Sequence, residues 1–485
     1  MERLEAGYGA RAAEIAGELA AHGTQGHDYD KGTKYHLHAA DNALRVSAYR
    51  EAITHSQQGL ELLAHLPATP ERDRQELAIR MSLHVALGAV RGRGTQEVEE
   101  NLKQAQELAC KVNDEKAFVS MVVALGRLYV TRSDRARALR IAEEDSRLVE
   151  QVRDPALAIQ LHTQLGTIHT FCAEYAQARA HQTQALTLYA TAGGESLSFS
   201  SGLDPLVIVY SLFSLSLWLS GWLDQSKRQY HNLLARAVQL ADTSSRVNAS
   251  TNAAILALLR GDLDEARQLA DQSVRRAMEH GSLMSIAMGV VVQGCIAVRG
   301  GDLETGINTL KKALPDYRAT DAQTLLPVFL SFLAEALSQC GKSEEAFTTI
   351  KEALRLAETG LEVYWEAELN RVKGELTLQS QTSHRQVAGK SKTSRDKSKA
   401  SQPTSGVQRL EAEAEDCFLK AIEIARRQEA KSLELRAVMS LSRLWQQQGK
   451  KAAARQLLAE TYDWFTEGFD TQDLQEAKAL LTQLV

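Results

Sequence analysis

Gly261-Asp262-Leu263-Asp264-Glu265-Ala266 is a six-residue phrase that returns. Forty residues on it reads Gly301-Asp302-Leu303-Glu304-Thr305-Gly306, and after forty more Gly341-Lys342-Ser343-Glu344-Glu345-Ala346; forty residues earlier stands Gly221-Trp222-Leu223-Asp224-Gln225-Ser226. A fixed period of this length marks an array of supersecondary units, which grows by adding copies and not by enlarging one core. The phrase carries turn chemistry. Glycine supplies the left-handed residue that ends a helix, and Asp262 can cap the next one. Asp264 and Glu265 put negative charge in its first turn, where the helix dipole favours it. Ala249 to Leu259 before the phrase is apolar and helix-forming; after it Leu263, Ala266, Leu269, Ala270 and Val274 make one apolar stripe, closed by Gly281. The unit is helix, tight turn, helix.

The frame extends upstream to Ala173–Ala178, Ser133–Ala138, a degenerate Thr95–Glu100 and Ser47–Ala52. Twelve residues before each phrase's last position stands a small residue, among them Gly126, Gly166, Ser214, Ala254, Gly294, Ala334 and Ser442, which lets paired helices approach closely; Gly374 keeps the same frame, but the phrase expected after it is missing there and resumes at Arg409–Ala414. Leu125-Gly126 with Tyr129 and Ala138, Leu165-Gly166 with Ala178 and Ala185, and Leu441 with Trp445, Gly449 and Ala454 resemble the tetratricopeptide repeat. The predicted fold is an all-α, tetratricopeptide-like solenoid of about ten helical hairpins, a right-handed superhelix. Its period of about 40 implies longer helices than the usual repeat of roughly 34 residues.

Residues 1–378 read as solenoid and 409–485 as its continuation, ending in capping helices. Residues 379–408, rich in Ser, Thr, Gln and Lys and nearly without large apolar side chains, read as a disordered basic insert between the two helices of one hairpin.

Composition narrows the function. The 485 residues carry a net charge of −5, which offers no whole-chain footprint for nucleic acid. The five cysteines form no CxxC pair and read as buried, reduced thiols. The N-terminus lacks an apolar signal core, and Leu206–Leu219 is shorter than the roughly 20 residues that span a bilayer, so a cytoplasmic location is expected.

No residue is assigned to catalysis, a cofactor or a metal. Gly341-Lys342-Ser343 and Gly389-Lys390-Ser391 end like phosphate loops, but Ala336 and His384 stand where a second glycine is required. His36 and His38 point apart on a helix; His162 and His169 share a face without a further ligand at metal-binding spacing. The tryptophans read as core, and Tyr462, Trp464, Phe465 and Phe469 as the packing face of the last helix. On the inner helices Arg127, Asn248, Asn252 and Arg299 are candidate partner-contacting residues, too sparse for a carboxylate clamp.

Tyr8–Ala16, Leu66–Arg72, Tyr364–Leu369, Lys373–Leu376 and above all Lys431–Ala437, Leu444-Trp445 and Trp464–Thr471 resemble the C-terminal repeat region of bacterial predicted ATPases, many of which carry a class III adenylate/guanylate cyclase domain. The resemblance spans essentially the whole chain. It implies that nucleotide chemistry lies in upstream domains, and that this region is a regulatory or sensor arm binding a protein or peptide, such as an ATPase or cyclase module, along a concave groove. A small-ligand sensor is the alternative expectation; an enzyme is the least expected.

Overall fold

The structure, a computed structural model, describes residues 2–194, 203–390 and 405–485, and among these the regular elements are all helical. α1 (Glu2–Tyr8), a 3-10 segment (Gly9–Ile15) and α2 (Ala16–Gln25) lead in. Hairpins follow: α3 (Tyr29–Arg45) with α4 (Tyr49–Leu63), α5 (Pro70–Val90) with α6 (Gln96–Lys111), α7 (Glu115–Thr131) with α8 (Arg135–Gln151), α9 (Pro155–Phe171) with α10 (Tyr175–Thr191), and α11 (Pro205–Leu219) with α12 (Leu223–Gln239). The second half continues with α13 (Thr243–Arg260) and α14 (Leu263–His280), α15 (Leu283–Arg299) and α16 (Leu303–Arg318), α17 (Leu326–Gln339) and α18 (Ser343–Thr359), α19 (Glu366–Lys390) and α20 (Ser405–Arg427), and α21 (Lys431–Gln447) and α22 (Lys451–Tyr462), closed by α23 (Gln472–Gln483). This is the helical-hairpin solenoid that the repeat predicts. Among the described residues no helix is long and apolar enough to cross a membrane.

The phrase sits at the hairpin turns. Its first position is left-handed whether or not it is glycine: φ is 92° at Gly261 and 88° at Gly301, but also 53° at Ser133 and 59° at Ala173. Three details differ from the sequence reading. The left-handed residue of the α5–α6 turn is Gly92, with Thr95 already the N-cap of α6, so the phrase at Thr95 is displaced. Arg409–Ala414 lies inside α20 and marks no turn. Asp262 does not cap α14 through its side chain, which accepts a hydrogen bond from Arg260 at 3.0 Å.

Small residues twelve apart join the two helices of a hairpin. Ser226 Oγ donates to the Ser214 carbonyl at 2.7 Å, and Ser442 Oγ to the Ala454 carbonyl at 3.3 Å. A Cβ on Gly294 would stand 2.8 Å from Leu310 Cγ. Each close approach excludes water along a row of Ala and Leu, which is where most of the helical stability comes from.

The expected basic insert is shorter than 379–408. Helix α19 runs on to Lys390 and α20 starts at Ser405, because this stretch has no proline before Pro403 and each added residue propagates the helix by one hydrogen bond. The remainder, 391–404, lies outside the described residues. The flanking helices do pair: a Cβ on Gly374 would meet the Phe418 ring at 2.5 Å.

The superhelix is wound so tightly that successive turns touch. Tyr49 Oη and Ser244 Oγ lie 2.7 Å apart, the Gln323 N–H donates to the Thr131 carbonyl at 2.8 Å, the Leu361 N–H to Ser133 Oγ at 2.9 Å, and Arg436 Nη2 to the Leu259 carbonyl at 3.0 Å. Partners are about 180–230 residues apart, so roughly five forty-residue hairpins complete one turn. Two of the closing aromatics, Trp464 and Phe465, serve this contact and not the last helix, whereas Tyr462, at the end of α22, lies 6.0 Å from Phe469. Trp464, Phe465 and Phe469 lie in the α22–α23 connection; Trp464 meets Trp222 edge-on at 5.5 Å and Phe465 is buried, because the turn at Gly221 offers apolar surface one coil away.

Candidate functional site

With five hairpins to a turn, the first helices of consecutive hairpins ring the superhelix axis. α7, α9, α11, α13 and α15 line a half-open cavity of about 200 Å³. The α5–α6 turn contributes Arg93, and the loop after α16 contributes Thr324 and Leu325 from the next coil. The wall is largely apolar, with Val123, Phe171, Leu212, Ile255 and Met288 facing the lumen.

Three of the four candidate contact residues, Arg127, Asn248 and Asn252, line this one cavity. Asn252 Nδ2 donates to Asn248 Oδ1 at 3.1 Å, as residues four apart on α13 can. Arg299, at the C-terminal end of α15, lines a different cavity. Arg93 is the residue that the sequence reading missed. It stands between Gly92 and Gly94, where Cβ atoms would collide with the Thr320 and Asp321 carbonyls at 2.5 Å, so the glycine pair was the available signal.

Arg93 and Arg127 keep some surface toward the lumen while protein surrounds them. Burial pulls the Arg93 guanidinium below its ordinary range despite Tyr49 and Asp242; burial and the neighbouring Arg93 bring Arg127 down to about 9. Beside them His84 is held neutral, its pKa pushed to about 4 by burial and then by the two arginines. A smaller cavity of about 60 Å³ shares Arg93 and Arg127 with the first, and another of about 70 Å³ shares Arg93, Asn248 and Met288.

The loop from the next coil is pinned by a buried acid. Glu362 Oε2 accepts the Leu325 N–H at 2.7 Å and holds Leu325 left-handed at φ 64°, while Oε1 has no partner. Burial raises the Glu362 carboxyl to about 8, offset only in part by that N–H. A folded-state pKa above the unfolded value of 4.5 costs nothing below that value, and the penalty grows as pH rises toward 8. Glu362→Gln keeps the acceptor and removes the charge. The variant is expected to gain about 1–2 kcal/mol over the parent at pH 8 and nearly nothing at pH 4.5, read as the difference in melting temperature at the two pH values. A difference that does not grow with pH refutes the buried-acid assignment.

A second cavity, of about 420 Å³, is polar and lies where the coils meet. Arg371 binds Glu368 at 2.8 Å and Glu335 at 3.0 Å, and Arg436 binds Asp473 at 2.8 Å; Arg299 and Arg443 also line it. Burial alone would raise Glu368, but Arg371, Arg436 and Arg299 outweigh it and hold that carboxyl at about 2. This cavity is charge-paired from within.

The other features singled out in the sequence lie apart from both cavities. Gly341-Lys342-Ser343 is a hairpin turn, and Gly389-Lys390 ends α19, with Ser391 outside the described residues. His162 Nδ1 lies 2.9 Å from His181 Nδ1; His169 stacks on His181 and pairs with Glu174 at 2.6 Å. Among the described residues no three His, Cys, Asp or Glu side chains could hold a metal ion. Cys295 is buried as expected, but Cys110 and Cys340 are exposed, since both stand at or next to a helix end and not on the inner stripe.

No known family profile matches the chain. An uncharacterized protein of Rhizobium meliloti (strain 1021) is 22% identical over 227 residues, a match that covers 47% of this chain and less than a quarter, 22%, of that relative's length. Solved helical-repeat proteins align with it loosely. A Rap protein complexed with competence and sporulation factor is 11% identical, covering 87% of this chain and 99% of its own, with a TM-score of 0.38. Yeast Tom70 is 15% identical over 98% of this chain and 96% of its own (TM-score 0.36), and the human IFIT1 dimer with PPP-AAAA 13% over 90% and 91% (TM-score 0.40). Superpositions this loose carry no argument about function.

Proposed function

We propose that the chain is a non-catalytic sensor arm, in which a small ligand on the superhelix axis sets how adjacent coils pack and a protein partner reads the result. The observation that supports this is the apolar cavity ringed by five inner helices and met by the 319–325 loop of the next coil. Contact between coils covers part of the inner face that a peptide in a concave groove would need, which favours the sensor over the scaffold that the sequence alone suggests. By resemblance, the partner is the ATPase or cyclase module of a bacterial signalling protein, in cis or in trans. The partial coverage of the longer relative accords with an arm of something larger.

A thermal-shift survey of a metabolite panel tests the reading. A ligand at a hundredfold its Kd is expected to stabilise the chain by about 2.7 kcal/mol, with slowed amide exchange in 319–325. A panel without a hit, together with a stoichiometric peptide that binds, overturns the sensor in favour of the scaffold. Nucleotide hydrolysis by the purified chain overturns the non-catalytic assignment.

A further inference from the structure

We infer that two histidine pairs, His36 with His55 and His162 with His181, make the array acid-sensitive: each pair holds its hairpin together while one of its imidazoles is neutral, and a second proton on the pair loosens that hairpin. The inference stands beside the sensor reading and does not depend on it.

The pairs occupy one position of the repeat. In each, the second histidine follows the first by nineteen residues, and the first stands sixteen before the last position of its phrase, at Ala52 and Ala178. Across α3 and α4, His36 Nδ1 lies 3.1 Å from His55 Nδ1; across α9 and α10, His162 Nδ1 lies 2.9 Å from His181 Nδ1. Hairpins α7–α8 and α21–α22 put Val122 with Ile141 and Val438 with Leu457 at the same two places. Apolar side chains satisfy the packing there, so the fold does not require histidine.

Two Nδ1 atoms at this distance share a hydrogen bond only when one bears the proton and the other a lone pair. At the first pair a third partner decides which. The Thr24 hydroxyl donates to the Ala20 carbonyl at 3.0 Å, so at 3.1 Å it accepts from His36 Nε2. His36 is then neutral with its lone pair on Nδ1, and His55 donates to it. A first proton enters at His55 Nε2, 3.9 Å from Glu51, and leaves the bond intact. A second must go to His36 Nδ1, where it meets the His55 N–H and the bond is lost.

At the second pair His181 also stacks on His169, whose Nδ1 pairs with Glu174 at 2.6 Å. The charged and titratable groups facing the two pairs are thus Glu51 on α4, His169 on α9 and Glu174 at the α9–α10 turn. Burial first, and then the facing histidines, bring His36 and His181 down to about 4; burial also lowers His55, against Glu51, and His162. Folded values below the ordinary 6.5 mean that the pairs stabilise in full above that pH and lose their contribution as pH falls toward 4. Helix α9 carries the effect to the axial cavity, since it turns Thr163 and Thr167 to the lumen and His162 and His169 to α10.

Amide exchange of the full chain at pH 7 and pH 5, corrected for intrinsic exchange chemistry, tests this. Protection in α3–α4 and α9–α10 is expected to fall about tenfold further than in α15–α16 and α17–α18, which contain no histidine. In His36→Val/His55→Ile and in His162→Val/His181→Ile, which copy the α7–α8 pair, the excess is expected to vanish from the altered hairpin and persist in the other. An equal fall in all four hairpins of the parent overturns the inference. So does an excess that survives the swap, as it would if the histidines only packed. Should a swapped chain fail to fold, the comparison of hairpins in the parent still decides.

Discussion

Gly221→Ala is expected to destabilise the chain by about 2–4 kcal/mol and Gly301→Ala by only about 1 kcal/mol, although both glycines open the same repeated phrase. Both are left-handed, at φ 87° and 88°, so alanine pays the same backbone strain at each. Around Gly301 nothing lies within 4 Å of the added methyl, whereas at Gly221 it would stand 2.6 Å from Trp464 Cζ3, 3.0 Å from Lys431 Cβ and 3.1 Å from Phe465 Cε1. These atoms belong to the next coil, and the indole is packed against Trp222, so the contact cannot be relieved by one flexible side chain. Melting temperatures of the two variants under one buffer check the difference. Equal losses would mean that the coils do not touch at Gly221 in solution.

Arg371→Met is expected to cost about 3–5 kcal/mol, because it leaves buried carboxylates without their principal counter-charge. Arg371 is bonded to Glu368 and Glu335 and lies 3.7 Å from Glu375. Once Arg371 is gone, Glu368 keeps Arg436, at 3.7 Å, and the more distant Arg299. The acid limb supplies a signature that mere loss of packing would not. Glu368 is held at about 2, below its ordinary value of 4.5, so its stabilisation is present above pH 4.5 and is lost as pH falls toward 2. The parent is therefore expected to lose melting temperature between pH 4.5 and 2, and the variant to show a flatter acid limb from a lower plateau. Parallel acid limbs would show that Glu368 is not governed by Arg371.

The local unit was legible and its assembly was not. The turns at Gly261 and Gly301 are written in six residues, because a left-handed residue and the acids after it act within one helical turn. The spacing of Ser214 and Ser226 exposed the close approach inside a hairpin for the same reason. What Gly221 does beyond its turn depends on residues more than two hundred positions away, fixed by the rise and rotation summed over five hairpins. Arg127, Asn248 and Asn252 could be placed on inner faces from the frame. That they share one cavity while Arg299 enters another is a property of the sum. Arg93 escaped because its repeat is degenerate and the left-handed residue moved three positions to Gly92.

Contact between coils also gives the array a phase. In an open solenoid one unit can be gained or lost and the remainder still stacks. Here each hairpin advances the chain by about a fifth of a revolution, so removing one would bring Tyr49 opposite a segment other than the one that holds Ser244, and every later pairing would slip with it. Length can vary freely only where it leaves the number of hairpins unchanged. Helices α19 and α20 do that: at 25 and 23 residues they are longer than the other helices of the array, yet they form one hairpin and add no step to the rotation.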